Sequence, residues 1–133
     1  MKLNQAKKFY KKSQNEGLDN ANPYEIFKKI NYELVRALQI VSQKIEEKQI
    51  DDIRQKNFAK ALTIIYTLQT SLNFDKELKL SSDLFTFYEH CRKKLIEGVT
   101  SLKSKEIFKS AVNLDTMFNF NYVQRVGGEN VIR

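Results

Sequence analysis

Few side chains in this sequence are of types that do covalent or metal chemistry, and their spacing argues against it. His90 and Cys91 are the single histidine and the single cysteine, side by side. Adjacent residues on a helix point about 100° apart, so the pair cannot close on one metal ion, and no second histidine completes a site. Cys91 also falls on an apolar stripe, where a small buried thiol is the ordinary role. The carboxylates Glu46-Glu47 and Asp51-Asp52 lie beside Lys48 and Arg54 at expected helix ends. Capping and dipole complementarity account for them without acid–base catalysis. Gly127-Gly128 lacks the flanking strand, helix and lysine of a phosphate loop. No catalytic residue, metal or cofactor is therefore expected, and the chain is not predicted to be an enzyme.

The elements that position these residues are helices. Phe58, Ala61, Leu62, Ile65, Leu68 and Leu72 recur at three- and four-residue steps, and Leu80, Leu84, Phe87, Tyr88, Cys91 and Leu95 resume the rhythm. Such steps gather apolar side chains on one helix face. Leaving each large one in water costs about 1.5–3 kcal/mol, so the faces must be buried against one another. Upstream, Asn22-Pro23 is a start signal, with Glu25 suited to the positive end of the helix dipole. The first helix is predicted from Pro23 to about Lys48, with Phe27, Ile30, Leu34, Ala37, Leu38, Val41 and Ile45 as its stripe. The second, capped by Asp51 or Asp52, is expected to end near Asn73. The third is expected from Ser81 or Ser82 to a glycine stop at Gly98, and the fourth from Leu102 to Asn119.

With one Pro and four Gly in 133 residues, long uninterrupted helices are favoured over a sandwich of tight turns. Short connections force neighbours to run opposite ways. The expected fold is all-α: an antiparallel up-and-down four-helix bundle over residues 22–119. A mobile N-terminal arm over 1–21 and a flexible C-terminal tail over 120–133 flank it. No apolar run reaches the roughly 18 residues of a membrane span. The basic start has no apolar stretch after it, and a lone cysteine fits a reducing cytosol, so a cytoplasmic protein is expected.

The formal net charge is +7. Lys2, Lys7, Lys8, Lys11 and Lys12 concentrate part of it in the arm, against Glu16 and Asp19. The rest is spread thinly, as on an ordinary solvated surface, and nucleic acid is not expected as a partner. A basic bundle binding nucleic acid, and a helical adaptor that dimerises, remain as alternatives. The first would lose affinity log-linearly with salt, and light scattering would reveal the second.

The informative oddity is apolar residues off the core stripes. Ile26 and Ile40 fall to one side of the first helix's stripe, Tyr24 and Val35 to the other. Ile64 and Tyr66 flank the second. Phe85 and Ile96 lie far from the third stripe's centre but, 11 residues apart, share a face; Val112 and Met117 are displaced on the fourth. A wide stripe buries some of these, and the remainder would leave apolar grooves suited to a partner's amphipathic helix. Candidate partner-binding residues are Ile40, Ile64, Tyr66, Phe85, Ile96, Val112 and Met117, with Phe9 and Tyr10 on the arm.

From Asn22 to about Phe118 the chain resembles the flagellar secretion chaperones that bind flagellin. Asn22-Pro23-Tyr24-Glu25-Ile26 is similar to that family's entry into its first helix, and Arg36-Ala37-Leu38 to its Arg-aromatic-Leu. Lys60-Ala61, Ile64-Ile65, Leu68 and Leu72-Asn73-Phe74-Asp75-Lys76 resemble its second helix and following connection. Leu84, Phe87-Tyr88 and Arg92-Lys93-Lys94-Leu95 resemble its third. The family's Leu-Tyr-Asp-Gly-Ala string is replaced by Ile30, Asn31, Tyr32, Glu33 and Leu34, and Glu77-Leu78 stands where glycines are common. This points to a divergent member, or a relative with a changed client, whose packing near Asn31 is rebuilt. The resemblance implies a monomeric or weakly dimeric cytoplasmic export chaperone of the flagellar type III secretion system. Its surface grooves would hold the disordered C-terminal segment of flagellin, preventing early polymerisation and aiding delivery to the export apparatus. Other flagellar export or regulatory proteins are implied as further partners. It also implies that the arm lies over part of the client groove, with Phe9 and Tyr10 as a displaceable plug.

Overall fold

The computed structural model describes residues 22–72 and 78–123, the side chains of 78–80 excepted. The arm over 1–21 with Phe9 and Tyr10, the connection 73–77 and the segment 124–133 lie outside the described residues. Among the described residues the main helices are, in order, α1 Pro23–Glu46, α2 Asp52–Ser71, α3 Leu78–Ser101 and α4 Lys105–Phe118. Among the described residues there is no strand. Each helix packs on its chain neighbours and α4 returns to α1, so α1–α3 and α2–α4 are the diagonals of an all-α four-helix bundle.

α1 begins as its sequence predicts. The side chain of Asn22 accepts the Glu25 N–H at 2.8 Å, with Pro23 in the first turn. A cap of this kind contributes about 1 kcal/mol. Packed between α2 and α4, α1 buries a wide face, and Ile26 and Val35 lie in the core alongside Ile30, Leu34, Leu38 and Val41. The helix ends at Glu46, two residues short of the expected Lys48, and Lys48 turns the chain with a left-handed φ of 57°. Lys48 N–H donates to Ile45 O and Gln49 N–H to Lys44 O, which satisfies two terminal carbonyls. Asp51 then caps α2, accepting the Arg54 N–H at 2.9 Å, and its other oxygen pairs with Lys44 Nζ at 3.0 Å.

The third and fourth helices differ from expectation at their shared corner. Gly98 does not end α3; it is buried within it, and the helix runs on to Ser101. A Cβ on Gly98 would lie 2.5 Å from Ile107 Cδ1 and 2.6 Å from Lys103 O. The glycine is therefore a close-approach residue where α3 meets α4. The turn is made by Leu102, at φ 56°, with Lys103 N–H donating to Gly98 O at 2.9 Å. A left-handed leucine costs on the order of 1 kcal/mol. α4 accordingly begins at Lys105, not Leu102.

Residues 120–123, expected to belong to a flexible tail, are packed instead. Asn119 takes a left-handed conformation, and the chain folds back so that Tyr122 and Val123 enter the core. Tyr122 N–H donates to the buried Asp115 carboxylate at 3.0 Å. The Tyr32 ring meets Phe120 and Tyr122 edge-on, centroids 5.3 and 5.5 Å away. Residues 120–123 thus belong to the bundle.

Candidate partner-binding surface

Several of the chemically suggestive residues are occupied by structural work. Cys91 is fully buried, and burial pushes its thiol up to about 11, which leaves almost no thiolate at neutral pH. His90, next to it, is exposed. Among the described residues no group of three His, Cys, Asp or Glu side chains could hold a metal ion. Glu46 accepts from Ser104 Oγ, Glu47 from Gln43 Nε2 at 3.2 Å, and Asp51 caps α2.

The structure divides the off-stripe residues. Ile64, expected on the surface, is 7% exposed and part of the core. α2 packs on both α1 and α3, and the wider contact face takes Ile64 in. Val112 is partly buried against the core, and Ile40 is half-buried on α1. Tyr66, Phe85, Ile96 and Met117 are all exposed, from 36% at Tyr66 to 50% at Met117. Tyr10 lies outside the described residues.

Three of the exposed four fall along one side. On α3, Phe85, Glu89, Arg92 and Ile96 succeed one another at steps of four, three and four, which is one helix face. Gln69 on α2 reaches across to it, donating to Phe85 O at 3.2 Å and to Glu89 Oε1 at 3.3 Å. Tyr66 stands three residues before Gln69, on the α2 side of the same seam. The centre of the strip is an ion pair in which Arg92 grips both Glu89 oxygens, Nε donating at 3.0 Å. The guanidinium, with help from Gln69, holds the Glu89 carboxyl at about 2. The strip is thus apolar at both ends, with a fixed charge pair between. Met117 is not brought into it; it lies on α4, diagonal to α2.

A second polar group stands at the α1–α2 flank. Lys60 donates to Glu33 at 2.8 Å, and Arg36 lies 3.4 Å from the same carboxylate. Burial pushes the Glu33 carboxyl up, but the two cations outweigh it and hold it below its ordinary range. The Tyr122 side chain, and then Glu33, raise the already high pKa of Arg36 further.

Other exposed apolar residues escape a stripe-based reading. Ile50, Ile53 and Leu102 are 68%, 51% and 58% exposed. Ile50 lies in a connection, where no periodicity exists to flag it, and Leu102 looks like the start of α4. One signal was present: an isoleucine and a leucine at turns, where Gly, Asn, Asp and Ser are usual.

No helix among the described residues is long and apolar enough to cross a membrane. No curated protein and no solved structure matches the chain. Residues 5–118 match the family model described as flagellar protein FliS, and that span reaches through all four helices to the end of α4. The chain therefore belongs to the FliS family of flagellar secretion chaperones.

Proposed function

We propose that this protein is a cytoplasmic, non-enzymatic export chaperone that binds the disordered C-terminal segment of flagellin. The observation that carries the reading is the family match over residues 5–118. It is supported by a rigid all-helical scaffold with large apolar side chains left outside its core. Tyr66, Phe85 and Ile96 offer such side chains along the α2–α3 seam, and Met117 and Ile40 extend the set to other faces. An amphipathic client helix needs an apolar strip with charge to fix its register, and Glu89–Arg92 supplies that charge between Phe85 and Ile96. Ordering a disordered client consumes part of the contact energy, so affinity stays moderate for the area covered and the client remains releasable. Covered in this way, the segment cannot polymerise before export.

Calorimetric titration with a flagellin C-terminal peptide tests the reading. Binding with a negative heat-capacity change and little loss between low and high salt is expected. Absence of binding overturns the proposal. So does a log-linear fall in affinity with salt, shared with duplex DNA, which would mark a basic bundle reading phosphate.

A further inference from the structure

We propose that the end of the bundle carrying the α1–α2 and α3–α4 corners is a second docking site. Its occupant is an acidic peptide segment that presents a branched aliphatic side chain beside a carboxylate. The site lies apart from the α2–α3 strip, and its evidence does not depend on the flagellin reading.

An open cleft of about 640 Å³ lies between the two corners. Its apolar part is formed by Ile45 and by the exposed Ile50 and Leu102, one from each corner. Leu102 is the residue held in the left-handed conformation, at a position where glycine or asparagine is ordinary and Leu adds no core contact. Two aliphatic side chains on facing turns are therefore spent on the cleft, not on the core.

Its polar part is one-sided. Lys48, Arg54, Lys103 and Lys105 line it against a single carboxylate, Glu46, which already accepts from Ser104 Oγ. Arg54 is 9% exposed as a whole residue, but its guanidinium nitrogens are reached by solvent where they line the cleft, and no other side chain among the described residues hydrogen-bonds them. A guanidinium with its stem packed away and its fork open to a cleft is placed to take an anion from solution. The nearby Asp51 carboxylate is already engaged, one oxygen by Arg54's own N–H and the other by Lys44.

A guanidinium among three lysines favours a planar carboxylate, which it can grip with two parallel hydrogen bonds. The adjoining Ile50 and Leu102 have no use to a small hydrophilic anion, but they suit the aliphatic neighbour of an Asp or Glu in a peptide. The chain's own arm has the wrong sign, being rich in lysine. It also joins α1 at the opposite end, a helix length of about 36 Å away at 1.5 Å per residue.

The test is fluorescence anisotropy on the full chain with an acetylated, amidated peptide of Leu and Glu. Peptides of the same apolar pattern with Gln or Lys in place of Glu serve as comparisons. The Glu peptide is expected to bind at least tenfold more tightly than either. Arg54→Gln and Lys103→Glu are each expected to weaken it at least tenfold. Leu102→Gly should also weaken it while leaving the melting temperature unchanged or higher, so loss of binding cannot be loss of fold. All three variants should bind flagellin C-terminal peptide normally. Equal affinity for the three peptides, or indifference to the three substitutions, overturns the proposal. It is also overturned if flagellin peptide displaces the probe, or if phosphatidylglycerol vesicles bind through these residues and the Glu peptide does not.

Discussion

The phenol of Tyr88 on α3 donates a 2.7 Å hydrogen bond to Oδ1 of Asn31 on α1, and both side chains are fully buried. The bond crosses a diagonal of the bundle, where the two helices otherwise scarcely meet. Asn31 is anchored in turn by its Nδ2, which donates to Phe27 O at 2.9 Å. This is how the chain rebuilds its packing where the family's aromatic is replaced by Asn31. Tyr88→Phe leaves Asn31 Oδ1 without its partner and is expected to cost about 1–3 kcal/mol in urea unfolding. Adding Asn31→Leu should recover much of that loss, and the double-mutant cycle should show the coupling.

Gly98→Ala tests the corner between α3 and α4. Alanine gains about 1 kcal/mol of helix propensity over glycine. Here its Cβ would meet a backbone oxygen at 2.6 Å, which cannot rotate aside. A net destabilisation of about 1–3 kcal/mol is expected. Ile107→Val, which removes the Cδ1 atom, should rescue it only in part, because the Lys103 carbonyl remains.

Acid should reveal the Glu89–Arg92 pair. The Glu89 carboxyl is depressed from an ordinary 4.5 to about 2. Its stabilising effect is therefore complete above pH 4.5 and is lost as pH falls through 2. NMR titration of the side-chain carboxyl should place its midpoint well below that of an ordinary glutamate. Glu89→Gln should remove the pH dependence of stability in that window, and high salt should shrink it, since the pair is partly exposed to solvent.

Cys91 should be inert while the bundle is folded. Its buried thiol, raised to about 11, gives iodoacetamide neither access nor thiolate at pH 8. Alkylation is expected to proceed at the rate of opening and to become prompt in denaturant. Fast modification of the native protein would place Cys91 outside the core.

Surface and core apolar residues should separate in function. Phe85→Ala and Ile96→Ala are expected to weaken binding of flagellin peptide by about 1–4 kcal/mol each if they anchor the client, with little change in melting temperature. Ile64→Ala, a core truncation, should instead lower stability by about 2–5 kcal/mol and leave the affinity of the folded fraction unchanged.

How much could be read in advance depends on how local the cause is. The start of α1 was legible because Asn22, Pro23 and Glu25 act within four residues of one another. The end of α3 was not: what decides the role of Gly98 is Ile107, across a corner that no periodicity announces. Likewise the Val-Gly-Gly run suggests an early fray, whereas Tyr122 is held by Tyr32 and Asp115, which the bundle brings to it. For the surface, a helical wheel identified Phe85 and Ile96 as one face, but could not say that the width of α2's contact face takes in Ile64. The cleft between the corners was invisible to any wheel, since Ile50 and Leu102 sit where the helices have stopped.

Tyr122 and Val123 also determine where the molecule may be cut. A version shortened to the last turn of α4 would keep α1 to α4 yet withdraw two wedges from between the rods. It would strand the Asp115 carboxylate and leave Tyr32 without the rings it leans on. The smallest intact unit is therefore longer than its four helices, and its closing stitch is made by residues outside them.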